Sequence, residues 1–122
     1  MPNIIPTFRY ADARAAITFL TAAFGFQEHA VHEDGGTIGH AELRLGDAYI
    51  MLGQDRPESA GFPNGPSTTY VVVDDPDAHH AKAVAAGAEI IRPLTDQDYG
   101  SREYAAQDPG GNVWSFGTYA PS

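Results

Sequence analysis

His40 and Glu42 stand two residues apart in the stretch Thr37 to Leu45, where Ala41, Leu43 and Leu45 alternate with His40, Glu42 and Arg44. Alternation of this kind predicts a strand with its apolar side chains on one face and its polar ones on the other. An imidazole and a carboxylate on one face can work as an acid and a base, or supply two ligands to a metal ion. They can equally form a polar pair that lines a wet pocket, which is the commoner outcome for such neighbours. The other histidines offer less. His29 and His32 sit at odd spacing on a predicted strand and should face opposite ways, whereas His79 and His80 are adjacent on a predicted helix and should lie on its solvated face. The chain has no cysteine, which removes thiolate nucleophiles, thiolate metal sites and disulfides. It also has no Gly-x-Ser-x-Gly elbow, no P-loop and no dinucleotide fingerprint.

The elements that must position these residues follow from periodicity and punctuation. Residues 4–10 read as a strand, with Asp12 placed to cap a helix from Ala13 to Phe24 and Gly25 to stop it. Ile17, Leu20 and Phe24 form the apolar face of that helix. Strands are expected at 26–32, 37–45 and 48–52, the first two divided by Asp34-Gly35-Gly36 and the last two by Gly46-Asp47. The same order then recurs. A strand over 68–73 leads to a second helix, capped by Asp75 with Pro76 in the first turn or by Asp77, and closed at Gly87. Further strands are expected over 88–92, 103–106 and 113–119. Asp12 to Gly25 and Asp74 to Gly87 have equal spacing and are offset by 62 residues, which with the repeated order of elements indicates an internal duplication. The reading is an α+β fold in one domain, residues 1–122, with two βαβββ modules over about 3–53 and 67–120. A linker rich in Gly, Pro and Ser joins them over 54–66.

Charge and composition narrow the partners. The net charge of −9 opposes a phosphate backbone and argues against nucleic-acid binding, while modestly favouring cationic ligands. No apolar run reaches the length of a membrane span, and Met1-Pro2-Asn3-Ile4-Ile5 lacks the basic start and apolar stretch of a signal peptide, so a cytoplasmic location is expected.

Three stretches are similar to those of a known family. Asp12-Ala13-Arg14-Ala15-Ala16-Ile17 with Phe24-Gly25-Phe26 looks like its first helix and closing turn. Asp77-Ala78-His79 with Ala85-Ala86-Gly87-Ala88 looks like the second, and Asp108-Pro109-Gly110-Gly111-Asn112-Val113-Trp114 looks like its Asp-Pro-x-Gly-Asn turn. On these the chain resembles the vicinal-oxygen-chelate superfamily, which includes glyoxalase I, ring-cleaving dioxygenases, and the bleomycin- and fosfomycin-resistance proteins. His40-Ala41-Glu42-Leu43 and Tyr99-Gly100-Ser101-Arg102 further resemble its PhnB-like branch. The resemblance implies curved mixed sheets around a cleft, each module with its helix on the convex side, and a homodimer.

It also implies where chemistry would sit. Metal-dependent members chelate a divalent ion from four strand positions, which carry over to Ile5, Met51, Ser67 or Thr68, and Ser115. Aliphatic side chains cannot ligate a metal and neutral hydroxyls are weak sole ligands, so no metal and no cofactor is expected. By the family's strand parity Tyr49, Met51, Tyr70, Tyr104 and Ser115 would join His40, Glu42 and Arg44 on the concave face, with Trp114 and Phe116 on the helix side. Arg102 would pair with a pocket carboxylate. The expected ligand-binding set is therefore His40, Glu42, Tyr49, Met51, Tyr70, Arg102, Tyr104 and Ser115. Tyrosines on a concave face suit a planar ligand, although core packing is the commoner fate of an aromatic residue. Three functions fit this reading. One is metal-independent sequestration of an amphipathic or cationic small molecule, as in the bleomycin-resistance type. Another is a metal-dependent lyase, isomerase or dioxygenase of the glyoxalase type using His40 and Glu42. The third is a degenerate domain that serves as a dimer module.

Overall fold

Asp12 has extended backbone and its Oδ1 accepts the N–H of Ala15 at 3.0 Å, which satisfies one of the free donors that begin a helix. The computed structural model describes residues 4–56 and 68–121, and in it this cap follows β1 (Thr7–Tyr10) and starts α1 (Ala13–Phe24). Gly25 ends α1 at φ 83°, a left-handed conformation that glycine alone adopts without a Cβ penalty, and its N–H reaches back to the Leu20 carbonyl. Next come β2 (Gln27–Asp34), β3 (Thr37–Leu45) and β4 (Ala48–Gln54). The second half repeats the order with β5 (Thr68–Val72), α2 (Pro76–Ala85), β6 (Glu89–Asp96), β7 (Arg102–Gln107) and β8 (Val113–Gly117). Asp75 is the cap of α2, accepting from Ala78 N–H at 3.1 Å with Pro76 in the first turn, which settles the choice between Asp75 and Asp77.

Two four-stranded mixed sheets result, ordered β1-β4-β3-β2 and β5-β8-β7-β6. In each, the first strand pairs in parallel with the last and the other neighbours are antiparallel. The chain clusters into two compact units, one built on the first sheet and one on the second, the latter including Ala22–Phe24 from the end of α1. In the first unit Phe8, Tyr10, Leu43, Ile50 and Leu52 are buried, as are Ile17 and Leu20 of α1. In the second, Phe24, Tyr104, Trp114 and Phe116 form the aromatic core, with Phe24 4.7 Å from Phe116 and 5.6 Å from Trp114 between ring centres.

Element ends differ from expectation where local chemistry permits more than the pattern shows. Strand β6 runs on through Pro93 to Asp96, because it is an edge strand with register shifts, where a missing N–H costs no ladder bond. Strand β2 extends to Asp34, while β8 stops at Gly117 rather than 119. Of the expected linker, 57–66 lies outside the described residues, and Gln54 closes β4 and accepts the Ala13 N–H at 3.0 Å. Among the described residues no helix is long and apolar enough to cross a membrane.

Candidate functional site

Each sheet has a face turned away from its buried core, and each such face carries a depression lined by residues of its own unit. On the first sheet, cross-strand register puts Glu42 beside Met51 and Arg44 beside Tyr49. Ile5, His29, Glu42, Tyr49 and Met51 line a hollow of about 170 Å³. Glu42 Oε2 lies 3.0 Å from His40 Nε2 and Glu42 Oε1 lies 3.9 Å from His29 Nε2. The hydrogen bond with His40 is the main reason the Glu42 carboxyl sits below its ordinary pKa. His29 and His32 do not face opposite ways as alternation predicted. A register shift between Glu28 and Ala30 turns His29 toward Glu42, while His32 pairs with His40 in register and stacks on it at 5.9 Å. The extra residue of a β-bulge breaks the period of two, which no alternation count can anticipate.

On the second sheet, Tyr70, Tyr99, Glu103, Tyr119 and Pro121 line a larger hollow of about 520 Å³. Gly117 makes room for two of these side chains: a Cβ there would come within 2.5 Å of Glu103 Cγ and 2.6 Å of the Tyr70 oxygen, so only glycine lets both lie across the strand. Tyr99 donates its hydroxyl to Glu103 Oε1 at 2.9 Å, and Tyr70 donates to the Tyr119 carbonyl at 2.9 Å. Ser101, itself buried, accepts the Tyr119 N–H at 3.1 Å and ties the C-terminal stretch to the start of β7. The Tyr99 phenol is pushed above its usual pKa by its bond to Glu103, and the Tyr70 phenol mainly by burial, with Glu103 adding to it, so both stay protonated. Ser115 lies one row away, in register with Tyr70 and Ala105.

Two expected pocket residues belong elsewhere. Tyr104 pairs with Phe116 in register and is fully buried on the core side, stacked on that ring at 5.1 Å and bonded through its hydroxyl to His79 Nδ1 at 2.5 Å. Its parity is opposite to the one expected, and Glu103 takes the open face in its place. His79 is correspondingly not on a solvated helix face, since burial between Phe24, Tyr104 and Phe116 lowers its pKa. Arg102 is held by Asp77 of α2 at 2.8 Å and Asp96 of β6 at 3.0 Å, so its partners are not pocket carboxylates. Trp114 and Phe116 lie on the core side as expected. Tyr99, Glu103 and Tyr119 were not among the expected residues. The signal for them was the Tyr99-Gly100-Ser101-Arg102 stretch, which marks the turn that brings Tyr99 back over Glu103.

The positions that would ligate a metal in this fold do not fit one. Ile5 and Met51 contribute an alkyl group and a thioether to the first hollow, Thr68 and Ser115 contribute neutral hydroxyls, and Ser67 lies outside the described residues. Among the described residues no group of three or more His, Cys, Asp or Glu side chains is arranged to hold a metal ion.

Two modules of this order, each with a mixed four-stranded sheet, define a class of fold that known proteins share. Residues 6–116 match the model of the Glyoxalase/Bleomycin resistance protein/Dioxygenase superfamily, and the chain belongs to that family. It is 34% identical to an uncharacterised protein of Mycobacterium bovis over 95% of this chain and 82% of that one. Among solved structures it is similar to TioX from Micromonospora sp. ML1, at 30% identity and a TM-score of 0.84, covering 98% of this chain and 100% of the other. The fosfomycin resistance protein FosX from Mesorhizobium loti shares the fold, with 17% identity, a TM-score of 0.69, and coverage of 98% of this chain and 95% of the other.

Proposed function

We propose that this protein binds an amphipathic or cationic small organic molecule and sequesters it without a metal and without converting it. The observation that carries the reading is the hollow on the second sheet, where three tyrosines surround one carboxylate. Apolar walls with a few fixed polar groups are the usual make-up of a small-molecule site. The first unit has a separate hollow of similar chemistry, with Tyr49 and Met51 beside Glu42, which is bonded to His40. The reading extends to a homodimer, which the family resemblance suggests, and to a cytoplasmic location.

A thermal-shift screen of cationic aromatics, glycopeptides and neutral metabolites tests it. At about 100 times its dissociation constant a ligand adds roughly 2.7 kcal/mol to stability. A hit weakened by Tyr70→Ala and recovered chemically unchanged supports sequestration. Conversion of the compound at a rate lost in Glu42→Gln would refute it and make His40 and Glu42 catalytic. Elemental analysis of untagged protein should find far less than one transition-metal ion per chain, and light scattering should give twice the mass of the chain.

A further inference from the structure

Glu103 is only 6% exposed, yet its surroundings are phenols and apolar groups rather than cations. A carboxylate removed from water needs a countercharge or a full set of donors to offset its lost hydration. Among the described residues no lysine, arginine or histidine forms an ion pair with it. Arg92, exposed on β6, is felt electrostatically by the Tyr99 phenol, and no ion pair joins it to Glu103. Two phenols approach it, Tyr99 donating to Oε1 at 2.9 Å and the Tyr70 hydroxyl lying within reach of the carboxylate, whereas a carboxylate offers about four lone-pair sites. Tyr70 has a single proton, which the Tyr119 carbonyl accepts at 2.9 Å and for which Glu103 competes, so the two phenols cannot fill the carboxylate's acceptor sites.

We infer that the Tyr70–Tyr99–Tyr119 hollow takes the protonated N–H of a primary, secondary or tertiary amine, with Glu103 as its counter-ion and the tyrosine rings around its carbon substituents. This rests on the small-molecule reading above and names the ligand class for one site. The ring faces attract any organic cation. Only an N–H donor also fills the vacant acceptor positions of the carboxylate with a charge-assisted hydrogen bond. A quaternary ammonium, which has no N–H, gains the first term and not the second. The hollow of about 520 Å³ is large enough for an aromatic amine, and Glu103 is part of its lining, so the nitrogen would lie against that carboxylate.

Three matched probes decide it near neutral pH: benzyldimethylamine, which is protonated there, benzyltrimethylammonium, and N,N-dimethylbenzamide. Binding is read from the backbone amide shifts of Gly117 and Tyr119 for this site, and of Met51 for the first hollow. The amine should bind at least about tenfold more tightly than both others, the factor expected of one charge-assisted hydrogen bond. Glu103→Gln should remove the amine's advantage over the quaternary ammonium. The comparison of probes on the unaltered protein stands even if that variant fails to fold. Equal binding of the three probes overturns the amine assignment and leaves small-molecule binding intact. So does a preference that survives Glu103→Gln, or shifts confined to Met51. Absence of shifts with every probe at millimolar concentration overturns the assignment too, and the broader screen then judges the binding reading separately.

Discussion

Tyr104→Phe removes a single oxygen from the core of the second unit and leaves the ring stacked on Phe116. That oxygen is 2.5 Å from His79 Nδ1, and His79 Nε2 is 3.3 Å from the Phe24 carbonyl. A carbonyl only accepts, so Nε2 carries the imidazole proton and Nδ1 accepts the proton of Tyr104. The phenol is held far above its ordinary pKa by burial alone, so it remains a donor at any ordinary pH. In the variant Nδ1 becomes a buried acceptor without a partner, which costs about 1–3 kcal/mol. No cavity of methyl size is added, so the loss should stay well below the roughly 3–5 kcal/mol of an aromatic-to-alanine change such as Tyr104→Ala. Urea unfolding followed by Trp114 fluorescence at mildly alkaline pH, where His79 is neutral in both states, measures the difference at constant m-value. Amine binding at the Gly117 hollow should be unaffected, since Tyr104 is on the other face of β7. A loss under about half a kcal/mol would refute the hydrogen bond and its tautomer. A loss of ligand affinity without a loss of stability would return Tyr104 to the pocket wall.

Three further outcomes are expected. Burial first, and Lys82 to a lesser degree, lower the His79 pKa below its unfolded value of about 6.5, so the unfolded chain binds the extra proton first; stability should be full above that pH and fall as the pH drops below it, with a shallower fall in His79→Asn measured by denaturant titration at stepped pH. Asp108 is buried and accepts from the Gly110 and Asn112 N–H groups at 2.9 and 3.0 Å and from Trp114 Nε1 at 3.0 Å, so Asp108→Ala should lose about 3 kcal/mol, with the indole N–H stranded, and calorimetry showing no loss would refute that role. Leu20 is fully buried, so Leu20→Ala should cost about 2–5 kcal/mol in the same unfolding assay, and a value near zero would mean that α1 is packed differently.

The amino-acid order alone determined what depends on local periodicity and backbone chemistry. The caps at Asp12 and Asp75, the stop at Gly25, the alternation in Thr37 to Leu45 and the Asp-Pro-x-Gly-Asn turn each act within a few residues, so the paired βαβββ order could be read directly. Most of the open face of the first sheet followed from the same alternation, which is why Glu42, Tyr49 and Met51 meet as expected. Tertiary structure decided the rest. Arg102-Glu103-Tyr104-Ala105-Ala106 has no contrast between its two faces, because alanines occupy both and Tyr104 suits either a core or a pocket. Only pairing with β8 put Tyr104 over Phe116 and Glu103 over Gly117. The bulge that turns His29 toward Glu42 likewise depends on register between strands and not on residue type. Glu103, Tyr99 and Tyr119 lie in β7, the turn before it and the C-terminal stretch, and what gathers them is the return of the chain across the sheet. A period counted along one strand cannot see which strand lies beside it, and the setting of Glu103 among three tyrosines is a property of that neighbourhood.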